Sequence, residues 1–520
     1  MHKDILLVTL NSTYQHAAFG LRYLFANMKD LQPRTEILEF TIHASPRNVV
    51  EKILIHNPKV VGFGVYIWNT TETFEIVSIL KRVAPEVILV LGGPEVTYES
   101  ESQDICKTAD YVIKGEADFL FHDFCEKILS GQKPEHKFIA GALPDITKIQ
   151  SPYALYSEED IKNRILYVEV SRGCPYKCEY CLSSLDKLVR SFNLDQFLSD
   201  MDALIAKGAR QFKFVDRTFN LSIPTSTRIL QFFLARVQFG LFLHFEMVPD
   251  RLPLELKELI KQFPEGSLQF EVGIQTWNLD VAKNVSRRND YVKVRENFQF
   301  LSSETGVHTH ADLIVGLPGE TIASFGKGFD ELASCGPDEI QVGVLKRLKG
   351  TPIVRHDREF QMIYQEHPPF QILRNKDISY ADMQKMNRFA KYWDLIANSG
   401  NFTNTTKWFR EQSEKREDKS FFWEFFALNE FLSTRFGETH SLALQSILEA
   451  LWTYLTEVKQ ADKDFVRDLL LSDYMKDKPR NVPNFLKDGL DLSAYQIHQR
   501  ASGNSAAPSR QQKHIASVDN

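Results

Sequence analysis

Long apolar runs are missing from this chain. No stretch approaches the roughly 18 apolar residues that a membrane helix needs, so no span is expected. Cysteine is scarce, with six in 520 residues, half of them crowded into one short segment. That distribution excludes a disulfide scaffold and fits a reducing compartment, so a cytoplasmic location is expected. Positive charge is not in excess either: the net charge is −6, which argues against a general nucleic-acid binder and leaves room only for a local basic groove. The opening MHKDILLVTLN has too short an apolar part for a signal peptide and reads as a first strand. That strand is not followed by GxGxxG, so a dinucleotide site of the usual kind is not expected.

What is present is the segment SRGCPYKCEYCLSS, residues 171–184, with Cys174, Cys178 and Cys181. Three thiolates this close together point to a metal or cluster site. Structural zinc takes four protein ligands. No second CxxC pair follows, and the nearest histidines, His136 and His244, lie far outside the segment. A 4Fe–4S cluster can use three thiolates and keep one iron open for another ligand. The alternatives are three plain thiols, or a zinc site closed from a distance. Cys106, Cys125 and Cys335 read as ordinary packed thiols.

Two to four domains are expected at this length. Over residues 1–133, five apolar strands (4–10, 35–40, 60–67, 87–93 and 111–116) alternate with helices. This implies a doubly wound, flavodoxin-like parallel sheet, whose ligands sit beyond the carboxyl ends of the strands. The candidates at those ends are Tyr66, Trp68, Asn69, Gly92, Gly93, Pro94, Glu95, Gly115 and Glu116. Residues 134–163, rich in proline, glycine and turn formers, read as an exposed linker. Over residues 164–360, six strand-then-helix units imply a partial (β/α)6 barrel. Asp216, Glu246, Asp250, Glu271, Gln275, Gly316 and Glu320 stand at its strand ends. Residues 361–500 turn helical: Ser379 with Asp382 reads as an N-cap, and 420–432 as a buried aromatic helix. The small, polar tail 501–520 is expected to be disordered.

CxxxCxxC, with Tyr180 before the last cysteine and RGCP leading in, resembles the signature of radical S-adenosylmethionine (SAM) enzymes. The resemblance implies that Cys174, Cys178 and Cys181 bind a 4Fe–4S cluster whose open iron takes SAM, and that the adenosyl radical made there starts the reaction. EVGIQT resembles the strand motif that meets the SAM ribose, implying Glu271 and Gln275. DLIVGLPGE resembles the adenine-side motif; Ile314, Gly316 and Glu320 carry over, while Asp312 replaces its first glycine. The usual GGE stretch is not evident, and Ser183 and Ser184 lie nearby instead. GFGVYIWN, LGGPEVTYE and KGEAD resemble the cobalamin-binding domain that precedes many such cores. No DxHxxG is present to give cobalt a histidine, and a lone loop residue such as His16 more often hydrogen-bonds. The helical region resembles a domain of unknown function found in one branch of these proteins. The resemblance as a whole implies a class B methyltransferase-like enzyme that uses a 4Fe–4S cluster, SAM and cobalamin to methylate or rearrange an unactivated carbon. It also implies an electron donor such as flavodoxin or ferredoxin. A radical SAM enzyme without cobalamin, and a non-catalytic iron–sulfur or corrinoid sensor, are the alternatives.

Overall fold

The computed structural model describes residues 2–437, 439–476, 480–487 and 508–515. They form two compact units. The first comprises the described residues of 1–217, with Lys346–Val354 and Tyr364–Gln371; the second comprises Thr218–Leu345, Arg355–Ile363 and the described residues from Ile372 onward.

In the first unit, β1 (Ile5–Asn11), β2 (Thr35–Thr41), β3 (Val60–Gly64), β4 (Ile88–Gly92), β5 (Tyr111–Lys114) and β6 (Phe138–Ala140) form one sheet in the order β2-β1-β3-β4-β5-β6. All neighbours run parallel. All seven residues of β1 are buried, as expected of a strand covered on both faces, and hence its continuous apolar run. Alternate residues serve the two layers. Leu6, Val8, Val61 and Leu89 pack under Val49, Ile76 and Leu80; Ile5, Leu7, Val60 and Val90 pack against Leu21, Phe121 and Phe124. The chain leaves β1 towards β2 and returns on its other side as β3, which creates a switch point at the carboxyl ends.

The linker is less exposed than expected. One of its short extended pieces is β6, which makes the sheet six-stranded rather than five-stranded. Tyr153 and Tyr156 are each 3% exposed, and their hydroxyls donate to the carbonyls of Glu169 (3.0 Å) and Tyr167 (2.7 Å). Ser157 and Asp160 form a capping box at the start of the helix Glu158–Asn163. Beyond it come β7 (Leu166–Val168), β8 (Ser171–Arg172), β9 (Arg190–Ser191) and β10 (Gln211–Phe214). β7 pairs with β10 in parallel, and β8 pairs with β9 antiparallel.

In the second unit, β11 (Phe242–Met247), β12 (Leu268–Gln275), β13 (His308–Val315) and β14 (Glu339–Val344) pair in parallel, each with the next. Helices between and after them keep the strand–helix succession. His244 and Glu246, Glu271 and Gln275, and His310 and Asp312 are half-buried and alternate with fully buried apolar residues. One face of these strands is therefore polar. The helical region follows. Ser379 caps Tyr380–Trp393 by accepting the Asp382 N–H. The aromatics of Phe421–Phe436 are core: Phe425 meets Trp393 at 4.9 Å and Phe422 meets Phe389 at 4.9 Å.

The tail departs from expectation, because Ser509–Ile515 is helical. Arg510 pairs with Glu339 (2.7 Å) and Asp394 (2.6 Å), and Gln511 donates to the Gln269 side chain at 2.6 Å. Composition had no means of signalling these tertiary anchors. Residues 488–507 and 516–520 lie outside the described residues. Among the described residues, no helix is long and apolar enough to cross a membrane.

Candidate active site

The β8–β9 pairing closes the segment 173–189 into a hairpin loop that carries all three clustered cysteines. Cys174 and Cys178 are buried, Cys181 is half-buried, and none is in a disulfide. The backbone is fixed rather than slack. The Cys174 N–H donates to the Asp186 carbonyl (2.9 Å), Cys181 to Cys178 (3.1 Å) and Ser184 to Cys181 (3.2 Å). Gly173 has φ +92°, and a Cβ there would stand 2.3 Å from the Leu188 carbonyl oxygen. Only glycine meets both conditions. Asp216, at the end of β10, is 1% exposed. It accepts the Val170 N–H (3.0 Å) and the Ser171 hydroxyl (2.6 Å), and so anchors the loop's entry. Burial raises its pKa to about 7. The other cysteines are buried thiols: burial pushes Cys106 and Cys335 up to about 11, and Cys125 also upwards.

A cavity of about 230 Å³ opens at the carboxyl end of the first sheet. Its wall is apolar and glycine-rich, with Gly20, Gly62, Gly64, Gly92, Gly93 and Gly115 beside side chains such as Leu7, Tyr66 and Phe121. Gly93 (φ +108°) lies so close to β3 that a Cβ would meet the Val65 carbonyl oxygen at 2.5 Å. Gly115 (φ +78°) has nothing within 4 Å of its would-be Cβ. Where the wall is glycine, a flat group can approach the backbone closely. Tyr66 stacks on Trp68 with centroids 4.4 Å apart and a 7° interplanar angle. Trp68 is 46% exposed. Asn69 does something else: its amide donates to the carbonyls of Leu10 (3.0 Å) and Gly64 (3.1 Å) and accepts the Tyr66 N–H (2.8 Å), locking the ends of β1 and β3 together. His16 is occupied by a hydrogen bond to the Tyr167 hydroxyl.

Two ties join this domain to the cysteine loop. At the first, Arg172 pairs with Asp118 (2.8 Å), Glu116 (2.9 Å) and Glu169 (3.0 Å), while Arg190 pairs with Glu116 and with Asp186 (3.0 Å). The carboxylates around the Arg172 guanidinium raise its pKa further, despite its burial. The second tie is the segment 346–354. Lys349 pairs with Glu95, and Arg347 with Glu99 (3.1 Å). Gly350 packs against Tyr98, and Ile353 donates its N–H to the Glu179 carbonyl (3.0 Å) within the cysteine loop. Glu95 and Glu116 thus serve as inter-segment ligands. The sequence did not single out Arg172, Asp118, Arg190 or Lys349. Arg172 lies inside the motif, but its partners are 54 and 56 residues away.

In the second unit, β12 ends in a bulge between Gly273 and Gln275. Gln275 has φ +74°, a conformation that non-glycine residues rarely adopt and that often marks a functional position. Its amide lies over Gly273, where a Cβ would come within 2.6 Å of the nitrogen. The strand end is held from outside: Arg287 donates to the Gly273 carbonyl, Asn289 to Ile274 (3.0 Å) and the Tyr291 hydroxyl to Thr276 (2.8 Å). Glu271 pairs with His244 at 2.9 Å. Beyond β13, Gly316 (φ +91°) and Gly319 (φ +87°) shape the turn that carries Glu320. Glu320 is 1% exposed, and its Oε2 has no hydrogen-bond partner. Its other oxygen accepts the Ser324 hydroxyl (3.1 Å), and burial raises its pKa to about 7.

Three families match successive parts of the chain: the B12 binding domain over 5–123, the radical SAM superfamily over 168–332, and a protein family of unknown function, DUF4080, over 358–519. The last includes the helix at Ser509–Ile515. The cobalamin-dependent radical SAM methyltransferase TokK of Streptomyces tokunonensis is 23% identical over 348 residues, 58% of this chain and 48% of that protein. An uncharacterized methyltransferase, PH0819 of Pyrococcus horikoshii, is 24% identical over 336 residues, 58% of this chain and 70% of that protein. The chain spans about half the length of the first two curated relatives it matches, 48% in each. Among solved structures, TsrM of Kitasatospora setae, with cobalamin and a [4Fe-4S] cluster bound, aligns with a TM-score of 0.56 at 16% identity, over 68% of this chain and 74% of that one. OxsB, with aqua-cobalamin and SAM bound, aligns with a TM-score of 0.60 at 11% identity, over 91% and 79%. At these identities the structures establish the fold.

Proposed function

We propose that this chain, a B12-binding domain followed by a radical SAM domain, is a cobalamin-dependent radical SAM enzyme that modifies an unactivated carbon, with methylation as its expected outcome. The observation that carries the reading is the pairing, within one compact unit, of a loop offering three cysteines outside any disulfide with a glycine-rich cavity at a sheet's switch point.

The donor set fits a cluster: three thiols on a loop whose backbone is already fixed, with no side chain needed to complete a fourth protein bond. The cavity fits the approach of a flat group, because Gly92 and Gly115 line it without side chains and Gly115 has open space around its would-be Cβ. When bound, the cluster supplies the electron that cleaves SAM, and the corrinoid supplies a transferable methyl group. The protein's part is placement. Cys174, Cys178 and Cys181 would hold the iron, and Asp216 and Gly173 set where the loop begins. Tyr66, Trp68, Gly92, Gly93, Pro94 and Gly115 are the candidates for the corrinoid. In the second unit, Glu246, Glu271, Gln275, Ile314, Gly316 and Glu320 are the candidates for SAM. Glu320 with a pKa near 7 can keep its proton in mildly acidic buffer and donate it to a ligand acceptor. A one-electron donor of the flavodoxin or ferredoxin kind is the partner such chemistry requires.

The test is anaerobic reconstitution with iron and sulfide, then incubation with SAM and dithionite. Formation of 5′-deoxyadenosine in multiple turnovers is expected once a substrate is supplied, and at a low uncoupled rate without one. An intact cluster that never cleaves SAM would contradict the reading and favour a sensor.

A further inference from the structure

The buried ion-pair hub around Arg172 belongs to both candidate cofactor sites. Arg172 lines the cavity with Gly115, Glu116 and Asp118. It also stands two residues before Cys174 in the chain, with only Gly173 between them. Its guanidinium is held on every side. Asp118 binds it through two oxygens, at 2.8 Å and 3.1 Å, and Glu116 and Glu169 bind at 2.9 Å and 3.0 Å. The Tyr23 ring lies 4.7 Å from the guanidinium carbon and the Phe192 ring 5.4 Å. Tyr23 comes from the first domain, Glu169 from the approach to the loop and Phe192 from its exit. A bidentate, stacked guanidinium has little freedom to shift without breaking bonds.

The route from this hub to the thiol has no slack. A Cβ on Gly173 would lie 2.3 Å from the Leu188 carbonyl oxygen, and the Cys174 N–H is already bonded to Asp186. Asp186 in turn pairs with Arg190, which shares Glu116 with Arg172. A group seated in the cavity would lie against the same Glu116, Asp118 and Arg172 that set the loop's entry. Because this hub is stiff, a shift imposed on it from the cavity side is passed to the loop.

We propose that Arg172, held by Asp118 and Glu116, is a positioning residue that couples corrinoid binding in the first domain to cluster assembly on the cysteine loop. The inference rests on the two-cofactor reading. Linkage requires the coupling to be reciprocal: the loaded cluster tightens corrinoid binding, and bound corrinoid tightens cluster binding, by the same factor.

The experiment is anaerobic titration of the full-length protein with hydroxocobalamin, followed by its visible spectrum. It is run once on iron-free protein and once on cluster-reconstituted protein, for wild type, Asp118→Asn and Arg172→Lys. For wild type, a corrinoid Kd at least about fivefold tighter with the cluster in place is expected, at the lower end of typical coupling. In Asp118→Asn and Arg172→Lys the ratio should fall towards one, while iron content stays above half that of wild type. A merely structural role would lower melting temperature and both occupancies but leave the ratio unchanged. Equal wild-type Kd values in the two states overturn the coupling and leave the two-cofactor reading standing. No corrinoid binding in either state overturns both.

Discussion

In the first unit's sheet, β1 and β3 are buried along their whole length, and the strand ends facing the cavity carry glycines. In the second unit, β11 to β13 begin buried, then alternate, and turn His244, Glu246, Glu271, His310 and Asp312 to one half-open face. Both are parallel strands followed by helices, so the difference lies in what the side chains do. One region builds its candidate site from glycines, with Gly64, Gly92 and Gly115 on the cavity wall. The other presents polar groups as its candidate site and braces the backbone that carries them, through Arg287, Asn289 and Tyr291. The first suits a large flat ligand that meets backbone. The second suits a small polar ligand read through hydrogen bonds.

Substitutions can break or sharpen this contrast. The largest effect is expected from replacing Cys174, Cys178 and Cys181 together by alanine. Iron content and cluster absorbance should vanish, while corrinoid binding weakens but persists, because the cavity keeps its glycines. Gly93→Val comes next. Its side chain would collide with the Val65 carbonyl at a φ of +108°, so a loss of about 3 kcal/mol in denaturant unfolding, and loss of corrinoid binding, are expected.

Glu320→Gln tests the polar site through pH. The folded pKa is raised, to about 7 from 4.5. Between those values the unfolded chain ionises Glu320 while the folded chain keeps its proton, so wild-type stability falls as pH rises through that window. The glutamine variant does not titrate there. Its stability relative to wild type should rise from pH 4.5 to about 7 and then level off, by on the order of 3 kcal/mol. A flat difference would show that the carboxyl ionises normally. Gly115→Ala should cost only about 1 kcal/mol, because its φ of +78° is strained for alanine but nothing lies within 4 Å of the added methyl. Arg347→Ala removes a part-exposed pair with Glu99 and should change stability by less than about 1 kcal/mol.

The strand succession in both units was legible because continuous apolar runs and period-two alternation are local signals. The cysteine motif and the strand-end glycines were equally visible. What escaped was tertiary in origin. Phe138–Ala140 becomes a strand only because the edge of β5 is available to it. Ser509–Ile515 is helical where Arg510 and Gln511 find Glu339 and Gln269, an arrangement no tail composition announces. Asn69 sits among strand-end candidates, yet its amide is committed to Leu10, Gly64 and Tyr66. Glu95 and Glu116 are charged strand-end residues, and their cationic partners come from distant segments. Spacing can place a residue at a site, but it does not reveal which neighbour occupies it.

The central claim is that one chain holds both cofactors. Its most direct measurement is the cobalt-to-protein and iron-to-protein ratio of the same anaerobically loaded, desalted sample. About one cobalt and about four iron per chain are predicted, with the iron lost and most of the cobalt kept in the triple cysteine variant. Stoichiometric iron with no retained cobalt would contradict the account and leave the glycine-walled cavity to another ligand.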